Sequence, residues 1–201
     1  MKLQLSDVTL LIADCVNIDR AIKSLEHNKS HAKFGAVKLL TSLPTAHPQK
    51  HPIKHIGSIQ EYSNFMVKDL ANHFKTSHVL VAQYDGFIVN PRSWTSQFMK
   101  FDYIGAPWPE QWLVHGYSKE YNVGNGGFSL RSRRLQRLLQ DDSIVCEEPE
   151  DVTICQKYRP YLEAMGMKFA PFELARQFST EYDFGQREIK SFGQHGKMRF
   201  T

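Results

Sequence analysis

The first forty residues constrain the fold most, because they read as a strand, a helix and a second strand in close succession. The run Val8–Ala13 is almost wholly apolar and begins with β-branched residues, which is typical of a strand buried in a parallel sheet. Apolar residues then recur with helical spacing over Asn17–His27, and Phe34–Leu40 is a second apolar run. Since parallel strands need a crossover of this kind, the sequence predicts an α/β sheet.

Apolar spacing and turn-forming residues predict the remaining elements. They are a loop at Pro44–Pro52, an amphipathic helix at Ile59–Phe74, a strand at His78–Ala82, a short helix at Ser93–Phe101, a strand at Phe128–Leu130, helices at Ser132–Leu139 and Asp151–Met165, and a last strand at Lys168–Ala170. Asn17 or Asp19 is available to cap the first helix. We expect one domain over residues 1–201, with an irregular tail at residues 179–201 that returns to the functional site.

Composition excludes several classes of function. The net charge is only +4 and the basic residues are spread along the chain, so nucleic-acid binding is not expected. Cys15, Cys146 and Cys155 lack metal-site spacing, which favours a reducing compartment. No run approaches the ~20 apolar residues of a membrane span, and the apolar run near the N-terminus is only strand-length. We expect a soluble, cytoplasmic protein, with peripheral membrane association left open.

A carboxylate follows the predicted strand His78–Ala82, where the chain continues as Gln83-Tyr84-Asp85-Gly86. In open α/β sheets ligands bind beyond the carboxyl ends of the strands, so Asp85 occupies a favoured position for a catalytic or metal-binding group. Gly86 lets the backbone turn sharply and lets a ligand approach it. A plain turn is the alternative, because Asp-Gly is a common turn dipeptide.

The segment Asn122–Gly127 holds three glycines and two asparagines in six residues. Such a density suggests a surface that a ligand approaches closely, or a run of backbone N–H groups facing one. The segment is neither a Walker loop, since no Lys-Ser/Thr follows at the required spacing, nor a dinucleotide-binding fingerprint. A glycine-rich turn without a ligand is the alternative.

Acidic residues open the predicted helix at Asp151. Glu148, Glu150 and Asp151 precede the apolar positions Val152 and Ile154. The helix dipole stabilises acids in a first turn, which is the structural explanation. The functional interpretation is that Asp151 projects from the helix start as a base toward a substrate hydroxyl. Both interpretations can hold together.

His195 lies in the polar tail between Gly193 and Gly196. Histidine binds divalent metals well, and a late histidine that returns to a metal at a strand end would complete the site. An exposed histidine without function is the alternative.

These segments, in this order, resemble the GT-A class of nucleotide-sugar glycosyltransferases over most of the chain. The pattern is most similar to the Fringe and β-1,3-galactosyltransferase group, which combines a strand-end acidic motif, a glycine-rich segment, an acidic helix start and a late histidine. The corresponding residues here are Gln83-Tyr84-Asp85, Gly124–Gly127 with Phe128–Arg131 after it, Glu150-Asp151-Val152, and His195. The runs YIGAPW at Tyr103–Trp108 and GNGGFSLR further resemble a little-characterised bacterial branch of GT-A-like domains.

The resemblance implies a Rossmann-like, mixed and mostly parallel sheet flanked by helices in a single compact domain. It implies Mn²⁺ or Mg²⁺ as the cofactor, with Asp85 and His195 as metal ligands. It also implies a nucleoside-diphosphate sugar as donor, a UDP-sugar by preference, and a glycan or glycolipid hydroxyl as acceptor. Asp151 would act as the catalytic base of an inverting transfer, with Glu150 as the second catalytic acid.

The same resemblance assigns binding residues to both substrates. Donor contacts would come from the end of the first strand, the acidic motif and the glycine-rich segment: Ala13, Asp14, Asn17, Gln83, Tyr84, Asp85, Asn125, Gly126 and Gly127. Acceptor contacts would come from aromatic side chains that stack on sugar faces: Trp108, Trp112 and Tyr117.

Gln83 departs from the family pattern, because it occupies the position of the first acid and leaves only Asp85 as a carboxylate. A nucleotide-sugar-binding protein without turnover is therefore one alternative function. A nucleotidyltransferase is the other, although that class usually carries a glycine-rich basic loop after its first strand, and Asp14–Arg20 contains no glycine.

Overall fold

Nine strands form two sheets in the computed structural model, which describes residues 2–110, 118–147, 149–182 and 190–196. In chain order they are β1 Leu3–Ala13, β2 Ala32–Thr41, β3 Lys50–Pro52, β4 His78–Ala82, β5 Gly86–Ile88, β6 Tyr103–Ile104, β7 Phe128–Ser132, β8 Ser179–Thr180 and β9 Gly193–His195. The larger sheet has the order β3-β2-β1-β4-β7-β6, and the smaller has the order β5-β9-β8.

Helices surround the larger sheet. They are α1 Ile18–His31, α2 Ile59–Asn64, α3 Arg133–Leu138, α4 Glu150–Val152, α5 Arg159–Ala164 and α6 Phe172–Phe178. α2 continues through a π-helical turn at Phe65–Asp69 into a 3-10 turn at Leu70–His73, and α4 continues through a π-helical turn at Thr153–Lys157. Within the described ranges, no helix has the length and apolarity needed to cross a bilayer.

The larger sheet is mixed and mostly parallel, which confirms the predicted fold class. Neighbouring strands are parallel from β3 to β4, whereas β7 runs antiparallel to both β4 and β6. β1 lies inside the sheet, and its residues from Val8 to Ile12 are at most 1% exposed. Because side chains on both faces of this second half of β1 are covered, Val8–Ala13 is an almost wholly apolar run instead of an alternating one.

Serine side chains define where two helices begin. Ser58 precedes α2 and accepts a hydrogen bond from the backbone N–H of Glu61, and Ser132 precedes α3 and accepts one from Leu135. These bonds satisfy N–H groups that lack partners inside the helix. The start of the long predicted helix at Ile59 is therefore correct, but the spacing of apolar residues also predicts that Ile59 faces inward, and this is wrong because Ile59 is 78% exposed.

The structure corrects several predicted boundaries. The predicted loop Pro44–Pro52 ends in β3, which pairs with β2 at the sheet edge, where a proline is tolerated. The predicted strand Lys168–Ala170 makes only a single bridge between Phe169 and Tyr103. The predicted helix Asp151–Met165 is interrupted at Tyr158, since the proline that follows in α5 has no N–H for the helix and its ring crowds the preceding turn.

The smaller sheet was not predicted, since the tail was expected to be irregular. β9 pairs antiparallel with β5 and parallel with β8, so the tail returns to the chain that follows β4. Two side chains of α1 hold β5 in place. Asn28 accepts a hydrogen bond from the Ile88 N–H at 2.7 Å and donates to the Gly86 carbonyl at 3.0 Å, and Ser24 also donates to that carbonyl at 2.8 Å.

We expect Asn28→Ala to lower the free energy of unfolding by about 1–3 kcal/mol, because Asn28 is fully buried and its loss leaves the Ile88 N–H without its partner. The midpoint of urea unfolding at unchanged slope measures the effect. Asn72→Ala is the matched control at an exposed position and should change stability by less than about 0.5 kcal/mol. Equal midpoints for the two variants would contradict the role of Asn28.

Candidate active site

The pairing of the smaller sheet brings three ionisable side chains together. His195 ends β9 and lies opposite Gly86, directly after Asp85. On the other side, Thr180 of β8 pairs with Gln194, so the next residue, Glu181, comes to lie beside His195. A histidine from the tail is thereby placed between two carboxylates from distant parts of the chain.

The predicted metal pair, Asp85 and His195, is in contact. Nε2 of His195 lies 3.3 Å from Oδ1 of Asp85 and 3.2 Å from Oε1 of Gln83, while Nδ1 lies 3.2 Å from Oε1 of Glu181. Burial lowers the pKa of His195, but the carboxylates of Asp85 and Glu181 outweigh it and raise that pKa to about 9. Burial likewise raises the pKa of Asp85, and the adjacent imidazole of His195 outweighs it, so this pKa is lowered.

The two side chains fit a divalent ion. Oδ1 of Asp85 is buried and makes no hydrogen bond to any described residue, and it lies beside an imidazole nitrogen. Ligand bonds of about 2.0–2.2 Å allow one ion to contact two atoms separated by 3.3 Å. Among the described residues, no group of three His, Cys, Asp or Glu side chains has the arrangement of a complete metal site. Further ligands would have to come from substrate phosphate and water, as is usual for Mg²⁺ in phosphate-binding sites.

Three consecutive residues of the glycine-rich segment contact this cluster and the acidic helix start. Asn125 donates a hydrogen bond from Nδ2 to Oε2 of Glu181 at 2.6 Å, and the Gly126 N–H donates to Oδ2 of Asp151 at 3.0 Å. A side chain at Gly127 would overlap the ring of His195. Segment Asn125–Gly127 thus joins the predicted metal pair to the predicted catalytic acids.

The two predicted catalytic acids have different surroundings. Glu150 is 5% exposed and pairs at 3.2 Å with Arg131, which is fully buried. Asp151 is partly exposed and accepts hydrogen bonds from the N–H groups of Gly126 and Val152. Burial of its carboxyl group, followed by the nearby charge of Glu150, raises the pKa of Asp151 to about 7. Asp151 is therefore the acid that can exchange a proton near neutral pH, and Glu150 balances the buried arginine.

The predicted donor residues at the end of β1 lie beside the end of β4, because these two strands are neighbours in the sheet. Ala13 is buried, and Oδ1 of Asp14 accepts hydrogen bonds from the N–H groups of Val16 and Asn17 at 2.7 and 2.6 Å. Asn17 precedes α1 but makes no side-chain cap, so the turn is closed by Asp14 instead. Contact of any of these residues with a donor stays a prediction.

Tyr84 carries a cation on its ring face. The guanidinium carbon of Arg20 lies 3.9 Å from the ring centroid of Tyr84, and the charge of Arg20 also contributes to the lowered pKa of Asp85. Arg20 is exposed, and the sequence analysis did not single it out.

One of the three predicted acceptor residues can be placed. Trp108 is partly buried and packs on Gly124, where a side chain would overlap the indole ring. Part of the Trp108 surface therefore serves the protein core. Trp112 and Tyr117 lie outside the described residues.

Sequence reasoning missed Glu181 and the role of Arg131. Nothing in the pattern around Glu181 distinguishes it, because its position depends on strand pairing between distant segments. Arg131 gave no clear signal, since the predicted strand ends at Leu130 and only the structure extends β7 through the fully buried Arg131 to Ser132.

Solved structures with a similar fold include three proteins at low sequence identity. A glycosyltransferase involved in glycosylation of the major capsid of PBCV-1 has a TM-score of 0.55 at 12% identity, over 94% of this chain and 91% of that one. Mannosyltransferase PcManGT from Pyrobaculum calidifontis, solved with GDP-Man and Mn²⁺, has a TM-score of 0.52 at 12% identity, over 82% of this chain and 54% of that one. Bifunctional IspDF from Campylobacter jejuni has a TM-score of 0.50 at 13% identity, over 80% of this chain and 48% of that one.

The chain thus spans about half the length of the mannosyltransferase and of IspDF, and nearly the whole length of the capsid glycosyltransferase. At these identities the similarity concerns the fold. No curated protein matches the chain in sequence. The family model of DUF5672, described as a protein of unknown function, matches residues 46–195, about three quarters of the chain. The chain belongs to the DUF5672 family.

Proposed function

We propose that this protein is a metal-dependent, inverting glycosyltransferase that moves a sugar from a nucleoside-diphosphate sugar to a hydroxyl group of a glycan or glycolipid. The observation that carries the proposal is that Asn125–Gly127 contacts both the predicted base and the predicted metal-binding cluster. The Gly126 N–H donates a hydrogen bond to Asp151, while Gly127 contacts His195 and Asn125 contacts Glu181. A base for the acceptor and a pair of ligands for a diphosphate-bound ion are thereby built around one backbone segment.

The fold supports this class of reaction by analogy. PcManGT, which has a similar fold, was solved with a nucleotide sugar and Mn²⁺. The donor proposed here is a UDP-sugar, in line with the resemblance of the motif order to the Fringe and β-1,3-galactosyltransferase group. The end of β1 and Gln83–Asp85 would hold the nucleotide and diphosphate, because ligands of open α/β sheets bind at the carboxyl ends of the strands.

The cofactor would be Mn²⁺ or Mg²⁺, held by Asp85 and His195. Bound there, it would supply Lewis-acid neutralisation of the charge that develops on the departing diphosphate. The buried, unbonded Oδ1 of Asp85 and the adjacent Nε2 of His195 are the atoms available for this role.

Asp151 would take the proton of the acceptor hydroxyl as its oxygen attacks the anomeric carbon, opposite the departing diphosphate. A pKa of about 7 suits this task, because the carboxylate is ionised at neutral pH and still basic enough to hold a proton. Glu150 would act indirectly, since its charge raises the pKa of Asp151 and its carboxylate is committed to Arg131. Trp108, together with Trp112 and Tyr117, would offer aromatic faces to the acceptor sugar.

A second candidate function is nucleotide-sugar binding without turnover. The observation that favours it is the amide of Gln83, whose Oε1 lies 3.2 Å from Nε2 of His195. The GT-A pattern that the sequence resembles has a carboxylate at this position. A nucleotidyltransferase remains the third class. Incubation with nucleotide sugars and glycan acceptors, and separately with nucleoside triphosphates and sugar phosphates, separates the three. The proposed activity releases nucleoside diphosphate, a nucleotidyltransferase releases pyrophosphate, and a binding protein releases neither.

The donor can be identified by a thermal-shift screen of UDP-, GDP-, CMP- and dTDP-sugars with and without Mn²⁺. A ligand at about 100 times its dissociation constant adds about 2.7 kcal/mol of stability. We expect a rise in melting temperature that requires both a nucleotide sugar and Mn²⁺. An unchanged melting temperature with all four nucleotide sugars would count against the proposal.

We expect Asp85→Asn to abolish the Mn²⁺-dependent part of donor affinity, because the amide keeps the shape of the side chain but removes the ligand charge. Isothermal titration calorimetry with the donor, with and without Mn²⁺, measures the effect. Asp142→Asn, at an exposed position, is the matched control and should bind like the wild type. Unchanged Mn²⁺-dependent affinity in Asp85→Asn would exclude the metal site proposed here.

We expect Asp151→Asn to reduce kcat by about 10²–10⁴-fold, the usual contribution of general base catalysis, with donor affinity nearly unchanged. Glu150→Gln is the comparison: it leaves the Arg131 charge buried without its partner and should chiefly lower the unfolding midpoint. Full turnover of Asp151→Asn would reassign the base, and loss of donor binding would place Asp151 at the donor instead.

The pH dependence follows from the pKa of Asp151, which is raised to about 7. A base acts only in its ionised form, so kcat should rise with pH through about 7 and level off above it. Single-turnover rates between pH 5.5 and pH 8.5 test this, roughly spanning the titration of a group with that pKa. A flat profile over the same range would contradict Asp151 as the base.

A further inference from the structure

We propose that Glu181 is a positioning residue that fixes the ring orientation and the tautomer of His195, so that Nε2 is free to bind the metal ion. The inference rests on the proposed metal site and adds to it a residue that touches neither the ion nor the substrate.

The backbone fixes where Glu181 lies. It follows β8 directly, and the parallel register of β8 with β9 continues from Thr180–Gln194 to Glu181 and His195. Oε1 of Glu181 then lies 3.2 Å from Nδ1 of His195, on the ring edge that faces away from Asp85.

A second interaction fixes the other carboxylate oxygen. Oε2 of Glu181 accepts a hydrogen bond from Nδ2 of Asn125 at 2.6 Å. Asn125 is 6% exposed, and its own Oδ1 accepts a hydrogen bond from the Gly127 N–H at 3.2 Å. Oε2 of Glu181 is thus held by a hydrogen bond, while Oε1 lies at ion-pair distance from Nδ1 of His195 without an aligned hydrogen bond.

Nε2 of His195 has two competing neighbours. Oε1 of Gln83 and Oδ1 of Asp85 lie 3.2 and 3.3 Å from it, and both are acceptors that favour a proton on Nε2. A neutral imidazole with its proton on Nε2 presents no lone pair there to an ion. Glu181 favours the opposite tautomer, because its negative charge lies 3.2 Å from Nδ1 and stabilises a proton there without an aligned hydrogen bond. Carboxylates that orient a metal-binding histidine in this way raise the basicity of the ligand nitrogen.

The first test measures Mn²⁺ binding by calorimetry in the full chain, with folding checked by circular dichroism. We expect Glu181→Ala to weaken Mn²⁺ affinity by about 10–100-fold, the usual effect of removing such a partner. Glu181→Gln should fall between that variant and the wild type, because an amide oxygen accepts the Nδ1 proton without the full charge. Glu173→Ala removes an exposed carboxylate on α6 and should have no effect. Wild-type affinity in Glu181→Ala would overturn the proposal.

A double-mutant cycle separates positioning from direct ligation. If Glu181 acts through His195, Glu181→Ala should cause no further loss of Mn²⁺ affinity in a His195→Ala background. An equal loss in both backgrounds would make Glu181 a metal ligand in its own right and would refute the positioning role.

The tautomer of His195 gives a readout that does not depend on metal binding. Nitrogen-15 chemical shifts, recorded above the pH at which His195 loses its charge, should report the proton on Nδ1 in the wild type and on Nε2 in Glu181→Ala. A wild-type protein that binds no Mn²⁺ would defeat the proposed metal site but leave this measurement to decide the role of Glu181. An Nε2 proton in the wild type would overturn that role.

Discussion

The site depends on the absence of side chains at Gly126 and Gly127. A side chain at Gly126 would overlap the carboxylate of Glu150, and one at Gly127 would overlap the ring of His195. Helix α4 and the tail can therefore approach the same dipeptide from different directions, and the spacing between the acids and the imidazole is set by backbone alone. Side chains of Glu150 and His195 fill the space where a Cβ would lie at these two glycines. The glycines are therefore needed for packing within the site, independently of any contact with a donor sugar.

Electrostatics then divides two adjacent acids into two roles. Arg131 is fully buried, and an unpaired charge there would be strongly destabilising, so one carboxylate has to stay ionised beside it. Glu150 meets that need at 3.2 Å. Asp151, next in the chain, lies close to that negative charge and is partly buried, and its pKa rises to about 7. A carboxyl group whose surroundings raise its pKa toward neutrality is a common basis for acid–base chemistry.

The central strands of the large sheet could be predicted from the sequence because local patterns determine them, whereas its edge strands β3 and β6 could not. The second half of β1 and nearly all of β4 are apolar, and α1 between β1 and β2 has helical spacing. The smaller sheet could not be predicted, since its strands are two or three residues long and are held by pairing between distant segments. For the same reason, His195 was selected only as a metal-binding residue type in the tail and through the family resemblance, and Glu181 was not selected at all. The break at Tyr158 was readable from the proline two residues later, but helical spacing on both sides concealed it.

Gln83 occupies the position of the first acid in the glycosyltransferase pattern that the sequence resembles, so the negative charge of the proposed site lies elsewhere. In the paired motif, two carboxylates would come from one strand end, whereas here Asp85 and Glu181 lie on opposite edges of the His195 ring. The proposed ion would contact one of them directly and feel the other through the imidazole, because a carboxylate on Nδ1 strengthens the nitrogen across the ring as a ligand. Two negative charges would still lie near the proposed ion, so the absence of an acid at position 83 does not by itself leave that ion without balancing charge. One of these charges comes from the tail, and charge balance at the proposed ion would then depend on β8 and β9 being in place.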